Sequence, residues 1–121
     1  MTALGWVAVG LVGAVGALSR FGLDHWITRR RPTPLPIGTL VVNLSGALVL
    51  GLLVGAGAAG ETLRIAGTAS LGAYTTFSTW MLESQRLAED GRAWLAAANL
   101  VVSLLGGLAA VAVGRAIGQL L

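Results

Sequence analysis

The chain has 121 residues, 55% hydrophobic and 11% charged, with a mean hydropathy of +0.82, which excludes an ordinary soluble domain and leaves no room for a separate one beside a membrane unit. Cysteine is absent, so no disulfide or thiolate metal site can form. The net charge of +3 comes from eight arginines and no lysine, a balance that suits the ends of membrane spans and not a nucleic-acid surface.

A spanning helix takes about 20 apolar residues, so the length predicts four spans with short connections in a single membrane domain. The first runs from about Leu4 to Ile27. Its start resembles a signal-peptide core, but Met1-Thr2-Ala3 carries no positive charge and the apolar pattern continues into "RFGLDHWI", so a retained span is expected. The connection "TRRRPTPLP" combines three charges with three prolines and suits an interfacial turn. The second span is expected from Leu35 to Ala58, the third from Leu63 to Leu87 and the fourth from Trp94 to Leu121, joined by "GAGAAGE" and "AEDGR".

Many of the 18 glycines lie inside these spans. Ala47, Gly51 and Gly55 share one helix face, as do Gly114 and Gly118, and small residues at that spacing let helices approach closely in lipid. The segment "GAGAAG" from Gly55 to Gly60 fits G-x-G-x-x-G but follows a membrane span instead of a strand, so it predicts no nucleotide site. His25 stands alone, with no partner at metal-ligand spacing.

Polar groups at membrane depth are costly, at about 2.5–3.5 kcal/mol for a charge on insertion scales, so their positions point to function. Arg20 and Asp24 lie one turn apart in the first span. They form either a stabilising charge pair or a vestibule in which Arg20 attracts anions. Asn43 sits among Val41, Val42 and Leu44 in the second span; its carboxamide either bonds a neighbouring helix or offers its NH2 to a passing anion. In the third span, "GAYTTFSTW" places Gly72 and the hydroxyls of Thr75, Thr76, Ser78 and Thr79 at membrane depth. Glycine and competing hydroxyls predict a break there, whose freed carbonyls could hold a cation. Beyond it, Phe77 and Trp80 share one face while Thr76, Thr79 and Glu83 share another. Aromatic edges carry positive charge that favours an anion.

Taken together, "GAVGALSRF", "PIGTLVVNLSG" and "GAYTTFSTWMLE" resemble the Fluc (CrcB) family of fluoride channels. The resemblance implies an all-α membrane protein of four transmembrane helices with a break in the third, assembling as an antiparallel (inverted) dimer with two pores in the cytoplasmic (inner) membrane of the cell. It implies a passive fluoride exporter, not an enzyme. Asn43 and Phe77 would line the fluoride pore with Trp80, and the hydroxyls of Thr76, Thr79 and Ser103 would follow the path. Backbone carbonyls of Gly72 and Thr75 from both chains would enclose one structural Na+ on the dimer axis. The chain departs from the family where Trp80 replaces a usual Phe, Asn99 a frequent Tyr and Gly107 a small hydroxyl residue.

Four spans place Arg29, Arg30, Arg31, Arg86 and Arg92 on one membrane side and Arg64 and Arg115 on the other. Five against two predicts that the termini lie mainly outside. The partner in the dimer is therefore either a second copy or an oppositely oriented sister chain, with lipid around both. Two rivals stand against the channel. A small multidrug exporter needs a titratable acid mid-membrane, whereas Asp24 and Glu83 fall near span ends. A non-conducting assembly subunit is favoured by the glycine faces and by Trp80, Asn99 and Gly107.

Overall fold

The hydroxyl of Thr2 accepts the amide of Gly5 at 3.1 Å, satisfying one of the donors that a helix start leaves free. In the computed structural model, which describes all 121 residues, this cap opens α1, Ala3–Arg30. The helix outruns its expected end at Ile27 because "TRR" contains no breaker and Arg29 and Arg30 oppose the negative end of the helix dipole. Pro32, Pro34 and Pro36 then provide no amide hydrogens to extend it.

Helix α2, Ile37–Gly55, is shorter than expected at both ends. It starts after Pro36 and stops before Gly57, whose φ of 91° is a left-handed conformation that glycine adopts at little cost. The G-x-G-x-x-G match is therefore a turn. The chain continues through α3, Gly60–Thr62, a π-helical stretch, Leu63–Leu71, and α4, Gly72–Tyr74. After Thr75 and Thr76 it resumes as α5, Phe77–Glu89. A turn through Gly91 leads to α6, Ala93–Gly118.

The break lies three residues beyond Gly72, which is itself helical with φ −63° and ψ −36°. Thr75 and Thr76 are extended. Hydroxyl competition sets this position: Thr75 Oγ1 donates to the Leu71 carbonyl at 2.9 Å, while Thr76 Oγ1 accepts the Thr79 amide at 3.2 Å and caps α5.

The most extensive helix pairing is α2 with α6. Its cause is the pair of small-residue faces read from the sequence. A Cβ at Gly51 would run into the Val111 carbonyl, one at Gly55 into that of Arg115, one at Gly114 into that of Leu48 and one at Gly118 into that of Leu52. Backbones at this separation gain dispersion contacts that no larger side chain allows. The π-helical stretch packs on α1 in the same manner, Gly16 lying against the Ser70 carbonyl.

Few side chains are enclosed. Fifteen residues are buried, whereas Leu4, Leu11, Leu18 and Phe21 of α1 and Leu104, Leu105 and Leu108 of α6 are all exposed. Apolar surface on this scale belongs against lipid or a partner. Three helices, α1, α2 and α6, are long and apolar enough to cross a membrane.

Replacing Gly114 by leucine should force α2 and α6 apart, costing at least the ~1–3 kcal/mol of an overpacked site. The thermal midpoint in detergent should fall by several degrees, while Gly10→Ala, where an added Cβ meets nothing within 4 Å, should leave it unchanged. Equal midpoints for the two variants would contradict the close crossing.

Candidate ion path at the helix break

Backbone groups at membrane depth must be paired within the protein, each unpaired one costing several kcal/mol. Asn43 solves this for Thr76. Its Nδ2 donates to the Thr76 carbonyl at 2.9 Å, and its Oδ1 accepts the Thr76 amide at 2.7 Å. The carboxamide thus substitutes for a neighbouring strand, satisfying both main-chain groups of one extended residue. Of the two roles open to Asn43, bonding to a neighbouring segment is realised. One N–H of the NH2 remains for another acceptor.

The same bonds redirect two donors. In an unbroken helix the Thr76 amide would bind the Gly72 carbonyl and the Thr79 amide would bind the Thr75 carbonyl. Here the first goes to Asn43 Oδ1 and the second to Thr76 Oγ1. The regular ladder ends at the bond from Thr75 N to Leu71 O, 2.8 Å. A second anchor holds the upstream side: Ser45 Oγ lies 2.9 Å from the Tyr74 hydroxyl and donates to the Val42 carbonyl at 3.0 Å. Gly46 admits Tyr74 and the methyl of Thr75 where a Cβ would collide.

Beside the break opens a groove of about 330 Å³, lined by Asn43, Thr75, Thr76, Phe77, Trp80 and Ser103, with Ala47, Gly107 and apolar residues of α6 completing it. None of its lining side chains is ionisable. Phe77 and Trp80 meet edge to face, with centroids 5.6 Å apart and planes at 83°, and Phe77 is 69% exposed. Trp80 Nε1 donates to the Asn99 carbonyl at 3.2 Å. Thr79 is not among the lining residues; its hydroxyl accepts that of Thr76 at 3.1 Å. The carbonyls of Gly72 and Thr75 lie on the upstream side of the same break.

Arg20 lies outside the groove. It forms no charge pair with Asp24: its Nε is enclosed without a hydrogen-bond partner, while Asp24 Oδ1 accepts the Thr28 hydroxyl at 3.3 Å. His25 stacks on Phe21 with centroids 6.1 Å apart. Two polar contacts escaped the sequence reading. Thr39, which is buried, donates its hydroxyl to Glu83, and the buried Asn99 donates Nδ2 to Ser84 Oγ at 2.8 Å. Both join residues far apart in the chain, so no local spacing could reveal them.

Against this geometry, the family described as "CrcB-like protein, Camphor Resistance (CrcB)" matches residues 7–115. The chain belongs to the CrcB family. Among its CrcB relatives, a protein of Mycolicibacterium paratuberculosis named "Fluoride-specific ion channel FluC 2" is 53% identical over 115 residues, covering 95% of this chain and 94% of the relative. A protein of the same name from Mycobacterium tuberculosis is 48% identical, covering 95% and 91%. Another from Symbiobacterium thermophilum is 45% identical over 114 residues, covering 90% and 91%. With its three long apolar helices, this CrcB chain is a multi-pass membrane protein.

Asn43→Leu should leave the Thr76 amide and carbonyl unpaired, at a cost of about 1–3 kcal/mol for each buried group. Amide hydrogen exchange at Thr76 should accelerate by at least about tenfold, a change that corresponds to 1.4 kcal/mol. Unchanged protection would show that Asn43 does not carry this bond in the membrane.

Proposed function

We propose that this chain forms a passive fluoride-selective channel that exports fluoride across the cytoplasmic membrane. The observation that carries the reading is the neutral groove at the helix break, combining amide and hydroxyl groups with the exposed ring of Phe77. The names of its CrcB relatives support fluoride as the ion. Neutral donors and aromatic edges strip a small anion of water without binding it as tightly as a fixed positive charge would. A groove without an ionisable wall also disfavours proton-coupled export.

In this reading the two helical pieces Gly60–Tyr74 and Phe77–Glu89 together make one further crossing, giving four in all. Each piece is too short to span alone. A second copy in the opposite orientation covers the exposed apolar faces, and Asn43, Thr76, Phe77, Trp80 and Ser103 face the fluoride path. Thr79 supports the path through Thr76. Arg20 lends positive potential to the vestibule. Hydrogen fluoride enters cells as a neutral weak acid and dissociates inside. A negative interior then drives the anion out with about 2.3 kcal/mol per charge per 100 mV.

The arginine distribution supports a second arrangement, in which an oppositely biased sister chain replaces the second copy. Liposomes containing this chain alone, read with a fluoride electrode, separate the two. Rapid fluoride release without chloride release is expected for a self-sufficient channel, with Phe77→Ile slowing it at least about tenfold, a loss of some 1.4 kcal/mol of transition-state stabilisation. Silence from folded protein that is relieved by a sister chain would select the paired form; silence in both cases would overturn the channel reading.

The break also fits a structural Na+. Hard cations take oxygen ligands, and the Gly72 and Thr75 carbonyls are among those whose helical donors are diverted at the break. Paired across an inverted dimer, these four oxygens would surround one ion and neutralise part of their own repulsion. Exchanging sodium for N-methylglucamine should therefore lower the thermal midpoint of the dimer, with recovery as sodium is restored by mass action. A midpoint indifferent to sodium would remove the ion from the assembly.

A further inference from the structure

Asn99 is one of three buried polar residues in the chain, with 3% of its surface exposed, and its surroundings are specific. Its Nδ2 donates to Ser84 Oγ at 2.8 Å. Ser84 Oγ in turn donates to the Trp80 carbonyl at 2.8 Å. The indole Nε1 of Trp80 closes the circuit on the Asn99 carbonyl at 3.2 Å. Three residues, two on α5 and one on α6, are thus joined by three bonds at the wall of the groove.

The circuit decides which part of Trp80 the groove receives. An indole has one strong donor, Nε1–H, and a weakly positive C–H edge. Its N–H is committed to α6, on the side of the ring held by Asn99, while Trp80 lines the groove against Phe77. A free N–H turned into the groove would give a desolvated anion a full hydrogen bond. Conduction requires sites weak enough to release the ion, so one donor added to those that Asn43 and the groove hydroxyls already offer would slow its release.

We propose that Asn99 and Ser84 are positioning residues that hold the Trp80 indole N–H out of the ion path, setting how tightly the groove holds its anion. The proposal rests on the fluoride reading above for its ion, but the lock itself is a property of the folded chain. A helix carbonyl has a second lone pair available for such a donor, so the Asn99 carbonyl serves Trp80 without leaving α6. The side-chain amide acts at one remove, by fixing α5 against α6 at the level of the indole. A Trp at position 80 needs a carbonyl held opposite its N–H, whereas a Phe does not; the main chain of residue 99 supplies that carbonyl and the Asn99 side chain helps to hold it in place through Ser84.

Two measurements test it. The first is hydrogen exchange at the Trp80 indole, followed by NMR in detergent on protein labelled at tryptophan nitrogen. Ser84→Ala and Asn99→Leu should each accelerate exchange by at least about tenfold, as expected for loss of a buried hydrogen bond, with the dimer intact by size exclusion. Unchanged exchange in Ser84→Ala, the milder variant, would overturn the lock whatever ion is carried. The second is fluoride release from liposomes. Ser84→Ala should slow release severalfold and raise apparent fluoride affinity in the Trp80 protein, yet have no effect in a Trp80→Phe background, which lacks the N–H. Equal slowing in both backgrounds would reduce Ser84 and Asn99 to general packing. If the parent protein releases no fluoride, the function reading fails while the exchange result still judges the lock.

Discussion

The structure depends on one carboxamide paired with one backbone residue. A helix interrupted inside a membrane exposes amides and carbonyls that no water can reach, and each costs several kcal/mol unless paired. Asn43 supplies a donor and an acceptor at the spacing of a peptide group, so Thr76 remains extended with both its main-chain groups satisfied. The carboxamide is half-buried, and the two bonds made at the break offset the water contacts it gives up. Without them both main-chain groups of Thr76 would stand unpaired at the break.

Satisfying Thr76 also has a consequence upstream. Because the amides of Thr76 and Thr79 are used elsewhere, the carbonyls of Gly72 and Thr75 keep their lone pairs. A break that merely frayed would free several groups at random. This one engages the amides of Thr76 and Thr79 with side chains and so withholds them from the carbonyls upstream. The upstream side is therefore suited to a cation and the downstream side opens toward the neutral groove. In the proposed channel, one interruption would serve two ions of opposite sign because the side chains of Asn43 and Thr76 take up the amides that would otherwise cap the upstream carbonyls.

Much of this was legible in the primary structure, and the reasons are local. The hydroxyl run Thr75–Thr79 announced a break, and Ala47, Gly51, Gly55, Gly114 and Gly118 announced a close helix crossing, because both signals follow helical spacing. Within Gly72–Trp80 the break falls at Thr75 and Thr76 and not at Gly72, since a lone glycine weakens a helix without ending it, whereas a hydroxyl that takes over a carbonyl does end it. The π-helical stretch Leu63–Leu71 has no marker that distinguishes its residues from an ordinary helix. The Asn99, Ser84 and Trp80 circuit was invisible because it joins two helices through contacts set by tertiary packing. Of the two readings open for Arg20 and Asp24, the charge pair is not formed: helical spacing permits it, but spacing does not fix where the two side chains turn.

The groove and the glycine crossing are two ends of one geometry. Asn43, Ala47, Gly51 and Gly55 form a row at spacing four along α2; Ser103, Gly107, Val111 and Arg115 form the matching row along α6. At one end the rows are pinned, Gly51 against Val111 and Gly55 against Arg115, with no space for a Cβ. At the other end Asn43 and Ser103 stand apart across the groove, into which Phe77 and Trp80 are set. Close approach at the pinned end fixes how far the rows can diverge, because helices are too stiff to bend freely over two turns. The width available to an ion beside Asn43 is thus set partly by glycines two and three turns away. Gly107 belongs to this row as well. A Cβ added there would meet nothing within 4 Å, so at this level the row along α6 leaves the groove open, in contrast to its pinned end.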